Sequence, residues 1–180
     1  GLINIEADKD GVYRQYSFLS SGPEGPEPSL AFAAYLALKG IRWGEDVKVA
    51  ENHVFWEELF QDGTKIKTRK WPLTQGNRRL LDFRSSWIST DPASFGHLTL
   101  NELHELYINT QRGQAPSGQP LAGKIIFISY VISGIGDFGT TPFGPYEPLV
   151  QLHSTALNDL IQNRFHLSFP RWADALALAL

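Results

Sequence analysis

The chain contains no cysteine, which removes a disulfide scaffold, a thiolate metal site and a cysteine nucleophile together. Methionine is absent too, even at position 1, and the sequence opens on the strand-like run Gly1-Leu2-Ile3-Asn4-Ile5 with no leader. Both features read as a segment of a longer protein. Positive charge is not in excess: 16 Lys and Arg against 19 Asp and Glu leave a net charge of −3, so no electrostatic footprint for nucleic acid or anionic membrane is visible. Lys65, Lys67, Arg69 and Lys70 beside Trp71 alternate as the solvated face of a strand does. The terminal run Trp172-Ala173-Asp174-Ala175-Leu176-Ala177-Leu178-Ala179-Leu180 is far short of the ~20 residues that span a bilayer. It is either an amphipathic terminal helix or the first turn of a membrane helix at 173–180 with Trp172 as interfacial aromatic. Internal repeats and low-complexity tracts are lacking.

Catalytic signatures are equally scarce. Gly134, Gly136 and Gly139 stand at G-x-G-x-x-G spacing, but Thr140-Thr141-Pro142 follows where that fingerprint opens a helix, and no Gly-Lys-Ser/Thr follows them, so nucleotide binding by those loops is not expected. The histidines His53, His97, His104, His153 and His166 form no H-x-x-x-H pair. No serine sits in a G-x-S-x-G elbow. Asp8-x-Asp10-Gly11 starts like a calcium loop, yet Leu19 stands at its twelfth position in place of the bidentate glutamate. The expectation is no catalytic residue, no metal and no cofactor.

What is present is material for one core. Of 180 residues, 42% are hydrophobic and 12% aromatic, and a chain of this length buries roughly 70% of its surface on folding. Two alternating runs, 1–8 and 12–19, flank Asp8-Lys9-Asp10-Gly11 and predict an N-terminal antiparallel hairpin. The glycines and prolines of 20–28 predict a loop. Ser29 is placed to cap a helix from Leu30 to Lys39 that stops at Gly40. Val47, Val49, Ile66 and the alternating cations suggest strands over 46–71, with Asp62-Gly63 as a turn. Arg79 to Arg84 reads as another strand. Thr99-Leu100-Asn101-Glu102 is a capping box opening a helix through about Asn109, with Leu100, Leu103 and Tyr107 as its apolar stripe. Ile125 to Ile132 is apolar without alternation, which predicts a central strand covered on both faces. Leu149 to Gln162 has the period of a helix. The fold class is therefore α/β: a mixed sheet with a buried central strand at about 125–132, flanking helices and the N-terminal hairpin.

Ligands of open α/β sheets bind where strands end and loops lead into helices. The loop Ser133 to Pro142 occupies that place, so Asp137, Thr140 and Thr141 are the candidate binding residues. His153 joins them from the first turn of the next helix, where the macrodipole disfavours its charged form. The alternative is structural: the glycines serve turns, Asp137 bonds its own backbone, and His153 is a packed core histidine.

Taken in order, Gly1-Leu2-Ile3-Asn4, Asp8-x-Asp10-Gly11-Val12-x-Arg14, Pro28-Ser29-Leu30-Ala31, Pro72-Leu73, Leu81-Asp82-Phe83-Arg84, Leu121-x-Gly123-Lys124-Ile125-Ile126-Phe127-Ile128, Gly136-Asp137-Phe138-x-Thr140-Thr141-Pro142 and His153 resemble the CHASE domain of type 2. The resemblance covers essentially the whole chain. It departs at Ser129, Leu149 and Ser154, where the family has glycine, glycine and alanine. It implies the C-terminal part of an extracytoplasmic sensory domain of bacterial adenylate cyclases, histidine kinases and serine/threonine kinases, with 1–172 as a single domain. The parent would be membrane-anchored and the partner an unidentified small-molecule or other extracytoplasmic stimulus. Two other readings stay open: a metal-assisted hydrolase using Asp137 and His153, with Asp8 or Asp10 holding the metal, and a ligand-free domain that makes a homodimer of its parent.

Overall fold

The computed structural model describes residues 5–50, 53–59, 66–72, 78–89, 94–114, 121–131 and 137–164. Within them are nine strands and three helices, the α/β class expected from the sequence. Strands pair antiparallel in four small sheets, and the parallel contact among these residues is an isolated bridge from Val12 to Thr140.

Period-two patterning is clearest in the three-stranded sheet of β4 (Lys48–Ala50), β5 (His53–Leu59) and β6 (Ile66–Pro72). Along β5, Val54, Trp56 and Glu58 are buried while Glu57 between them is exposed, as successive side chains point to opposite faces. The expected Asp62-Gly63 turn lies outside the described residues. Over the buried face lies α1 (Leu30–Leu38), which buries Ala31, Phe32, Tyr35 and Leu36 and is followed by Gly40 at φ +68. A side chain resists that left-handed conformation, so glycine ends the helix there. Ser29 has the extended backbone of an N-cap, yet its side chain accepts no helix N–H. The Tyr16 hydroxyl does so instead, from Ala31 N at 3.2 Å.

Aromatic rings make the centre of the core. Phe32 meets Trp56 at 5.5 Å, Trp56 meets Trp71 at 5.5 Å, and Phe18 links Trp71 at 5.2 Å to Tyr16 at 5.3 Å. Such edge-to-face pairs add about 0.5–1.5 kcal/mol each beyond their buried area. Glu58 enters this core as a carboxylate held by the Tyr35 hydroxyl, by Trp56 Nε1 at 2.9 Å and by Arg69 Nε at 3.1 Å. Burial pushes its pKa up, but the three donors outweigh burial and hold it below the ordinary value. The helix α3 (Val150–Gln162) lies against α1 and buries Leu152, Ala156, Leu157 and Leu160 in the same core.

Several expectations are corrected. The turn at Asp8–Gly11 forms, with Gly11 at φ +81 and its N–H on Asp8 O at 2.9 Å, but 5–8 make no strand. Instead β1 (Gln15–Ser17) pairs with β7 (Arg78–Leu80), the short remnant of the strand expected at 79–84. The stretch read as a loop is a hairpin of β2 (Leu19–Gly22) and β3 (Gly25–Pro28) around Pro23-Glu24. Its prolines fit because among the described strands β3 pairs only with β2, leaving an edge where no N–H is required.

The largest correction concerns the central strand. Residues 125–131 join no sheet, and Ile126, Ile128 and Tyr130 are exposed; Ile132 lies outside the described residues. A continuous apolar run favours cover on both faces, but neighbouring strands must supply it, and the described strands pair elsewhere. Phe127 packs against the core from this run. The capping box is realised in α2 (Leu100–Gln111): Glu102 N–H donates to Thr99 Oγ1 at 3.2 Å and Thr99 N–H to Glu102 Oε2 at 2.6 Å. Its stripe of Leu100, Leu103 and Tyr107 faces solvent, and no residue of α2 is buried.

Candidate functional site

The candidate residues lie along one hairpin and the helix it feeds. β8 (Phe138–Thr141) and β9 (Gly144–Pro148) pair antiparallel with a bulge at Thr140, and β9 runs directly into α3. Asp137, exposed just before β8, uses its carbonyl to accept the Leu149 N–H at 2.9 Å, closing the base of the hairpin at the helix start. Thr140 accepts the Tyr13 N–H through its carbonyl at 2.7 Å, tying the hairpin to the segment before β1. Gly139 is required where the chain crosses there, because a Cβ would lie 2.5 Å from the Tyr13 ring and 2.8 Å from Leu149 Cδ2. Thr141 is buried, its hydroxyl accepting the Phe143 N–H at 3.2 Å. Residues 133–136 of the expected loop lie outside the described residues.

His153 is engaged by Tyr16 and Phe127. Its Nδ1 is 2.7 Å from the Tyr16 hydroxyl, and its ring lies parallel to Phe127 at 6.4 Å between centroids. The phenol oxygen also accepts from Ala31 N–H, and in the tautomer of His153 that carries its proton on Nε2 the Tyr16 hydroxyl donates to Nδ1. Burial drives the His153 pKa down to about 4, since desolvation disfavours the charged ring. Tyr16 thereby bonds the first turns of α1 and α3 at once. Asp137 and Thr141 spend their described hydrogen bonds on their own hairpin and its junction with α3, and His153 spends its own on Tyr16. The structure thus places the four along one connection without drawing their polar groups to one point.

Asp8 and Asp10 are committed to the turn. Arg14 Nη1 lies 3.3 Å from Asp8 Oδ2 and 2.8 Å from Asp10 Oδ2, Gln15 Nε2 donates to Asp8 at 3.0 Å, and Val12 N–H to Asp10 at 3.1 Å. A guanidinium thus occupies the position that a metal would need. Among the described residues no group of three His, Asp or Glu is placed to hold a metal ion.

Polar residues that belong to no recognised motif are better assembled. Gln151, Thr155, Asn158 and Asp159 recur at helical spacing on α3, and Gln151, Thr155 and Asp159 are buried. They face the irregular segment that follows β7. Asp159 Oδ2 accepts the Asp82 N–H at 2.9 Å and Gln151 Nε2 donates to Ser85 O at 2.6 Å. Glu147, at the end of β9, accepts from Ser86 Oγ at 2.6 Å and Trp87 N at 2.7 Å. Between this segment and α3 opens a cavity of about 50 Å³ lined by Asp82, Arg84, Ser85, Phe95, Thr155 and Asn158. The signal was available in the sequence, as polar residues at i, i+4, i+7 and i+8 of a helix whose other side is apolar.

The CHASE2 domain family model matches residues 1–180. The chain belongs to the CHASE2 domain family. No curated protein and no solved structure matches it. CHASE2 domains are extracytoplasmic sensory domains, so the role of this CHASE2 domain is sensory rather than catalytic. No helix among its described residues is long and apolar enough to cross a membrane, and 173–180 lie outside them. The arrangement suits sensing: α3 carries on one side the core contacts with α1, on another the Tyr16 bond, and on a third the polar segment beside the cavity.

Proposed function

We propose that this CHASE2 domain is the signal-input unit of a membrane-bound bacterial receptor, binding an extracytoplasmic stimulus and relaying it to a cytoplasmic cyclase or kinase. The observation that supports the relay is the position of α3. Its first turn is fastened to Asp137 through Leu149 and to α1 through His153 and Tyr16, while Gln151 and Asp159 hold the segment 82–85. A stimulus that binds one arrangement of these contacts better than another shifts their populations, and only that difference in affinity can be transmitted. Asp137, Thr140 and Thr141 act in this reading by setting how β8 and β9 deliver the start of α3. The apolar run at 173–180, following α3 in sequence, would carry the shift into the membrane.

The test is output activity of the intact receptor beside thermal unfolding of each variant. Thr141→Val, which removes the hydroxyl that accepts the Phe143 N–H, and His153→Gln are expected to change output while the domain stays folded. Output that tracks stability alone in both variants would make these residues structural and refute the relay.

A further inference from the structure

The cavity between the segment 82–85 and α3 is lined in part by polar side chains that make no hydrogen bond among the described residues. Thr155 is only 4% exposed and lines the cavity, yet among the described residues its hydroxyl has no partner. The Ser85 hydroxyl and the Asn158 amide, both on the same lining, are likewise unpartnered. Arg84 gives one Nη2 N–H to Asp82 and keeps Nε and Nη1 free, with its side chain 46% exposed at the rim. Ser85 and Asn158 are half-buried and Arg84 is exposed, so solvent reaches them, while Thr155 is the buried polar residue on this lining that turns to the void without a partner among the described residues, as a ligand site requires.

We infer that this cavity binds the carboxylate end of a small organic acid. Two hydroxyls and the Asn158 amide can each donate or accept, and the unused edge of the Arg84 guanidinium only donates; turned inward, their donors together meet the two oxygens of a planar carboxylate. Size agrees. About 50 Å³ is room for roughly three to five water-sized groups, enough for a carboxylate and the carbon behind it. Phe95 supplies an apolar wall for that carbon. Asp82 lies on the same lining and repels an anion, but its charge is paired with Arg84, so the ligand is held by hydrogen bonds as much as by net charge. The acid would bridge Arg84 and Ser85 to Thr155 and Asn158, fixing the segment after β7 against α3.

This assignment rests on the sensory reading and names its ligand class. The experiment is titration of the chain, followed by calorimetry and amide NMR, with acetate and propionate as probes, glycerol as uncharged control and inorganic phosphate as a tetrahedral anion. The expected result is saturable binding of both carboxylates in the millimolar range, with shifts at Ser85, Thr155 and Asn158. Thr155→Val, which removes the hydroxyl at constant shape, and Arg84→Gln should each weaken binding about tenfold. Should Thr155→Val fail to fold, the exposed Arg84→Gln carries the test alone. Absence of saturation, tighter binding of glycerol or phosphate, or wild-type affinity in the folded variants would overturn the proposal. Binding is read on the chain itself, so a failed titration refutes the carboxylate alone; a receptor whose output ignores the α3 variants refutes the relay.

Discussion

Acidification should loosen this domain through His153 before it touches any carboxylate. The ring is buried, bonded to Tyr16, and has a pKa lowered to about 4 by burial, against about 6.5 in the unfolded chain. Its folded value being depressed, the unfolded state binds more protons between those values, and stability is lost as pH falls from about 6.5 toward 4. A gap of about 2.5 pH units at about 1.4 kcal/mol each gives a maximum of about 3.5 kcal/mol. For a chain of this size that corresponds to a fall in Tm on the order of 10 °C. His97, stacked on Trp87 at 3.7 Å, is also lowered by burial but is largely exposed and contributes little in the same direction. Glu58, Asp10, Asp46 and Glu102 are all held below their ordinary values, so their stabilisation is lost only at lower pH, in the carboxylate range. The assay is urea or thermal unfolding from pH 7.5 to 4.5, for wild type and His153→Gln, which can still accept the Tyr16 hydroxyl but does not titrate. The wild-type slope should flatten in the variant. An equal slope in both would refute the buried neutral imidazole.

Two further outcomes test the packing. Gly139→Ala places a methyl against Tyr13 and Leu149, so it should cost about 1–3 kcal/mol, read as a lower Tm. Thr99→Ala removes the capping box of a helix with no buried residue; the cost of about 1 kcal/mol should appear as faster amide exchange confined to α2, with the global transition unmoved.

Local signals were legible wherever they could be satisfied within a few residues. Thr99 and Glu102 form their box, Gly40 ends α1, Gly11 takes its left-handed turn and the α3 period holds. What escaped was non-local. Nothing near Gln15–Ser17 says that its partner is Arg78–Leu80, because pairing is chosen by what else needs a neighbour. Ser29 was rightly placed at the start of α1, but its capping bond comes from Tyr16, thirteen positions away along the chain. His153 was found as a candidate, and its partner was not, for the same reason. The polar row on α3 lacked any recognised motif and emerged only when the backbone of 82–87 was seen to depend on it.

The exposed run from Ile125 to Val131 sets the conditions under which the domain can be handled. It holds seven residues without charge, proline or glycine, and among the described residues it joins no sheet, the combination from which cross-β stacks are built. Shelf life should therefore depend on protein concentration more than on temperature. Precipitation can begin from the native fold, without prior melting, and raising Tm would do little to prevent it.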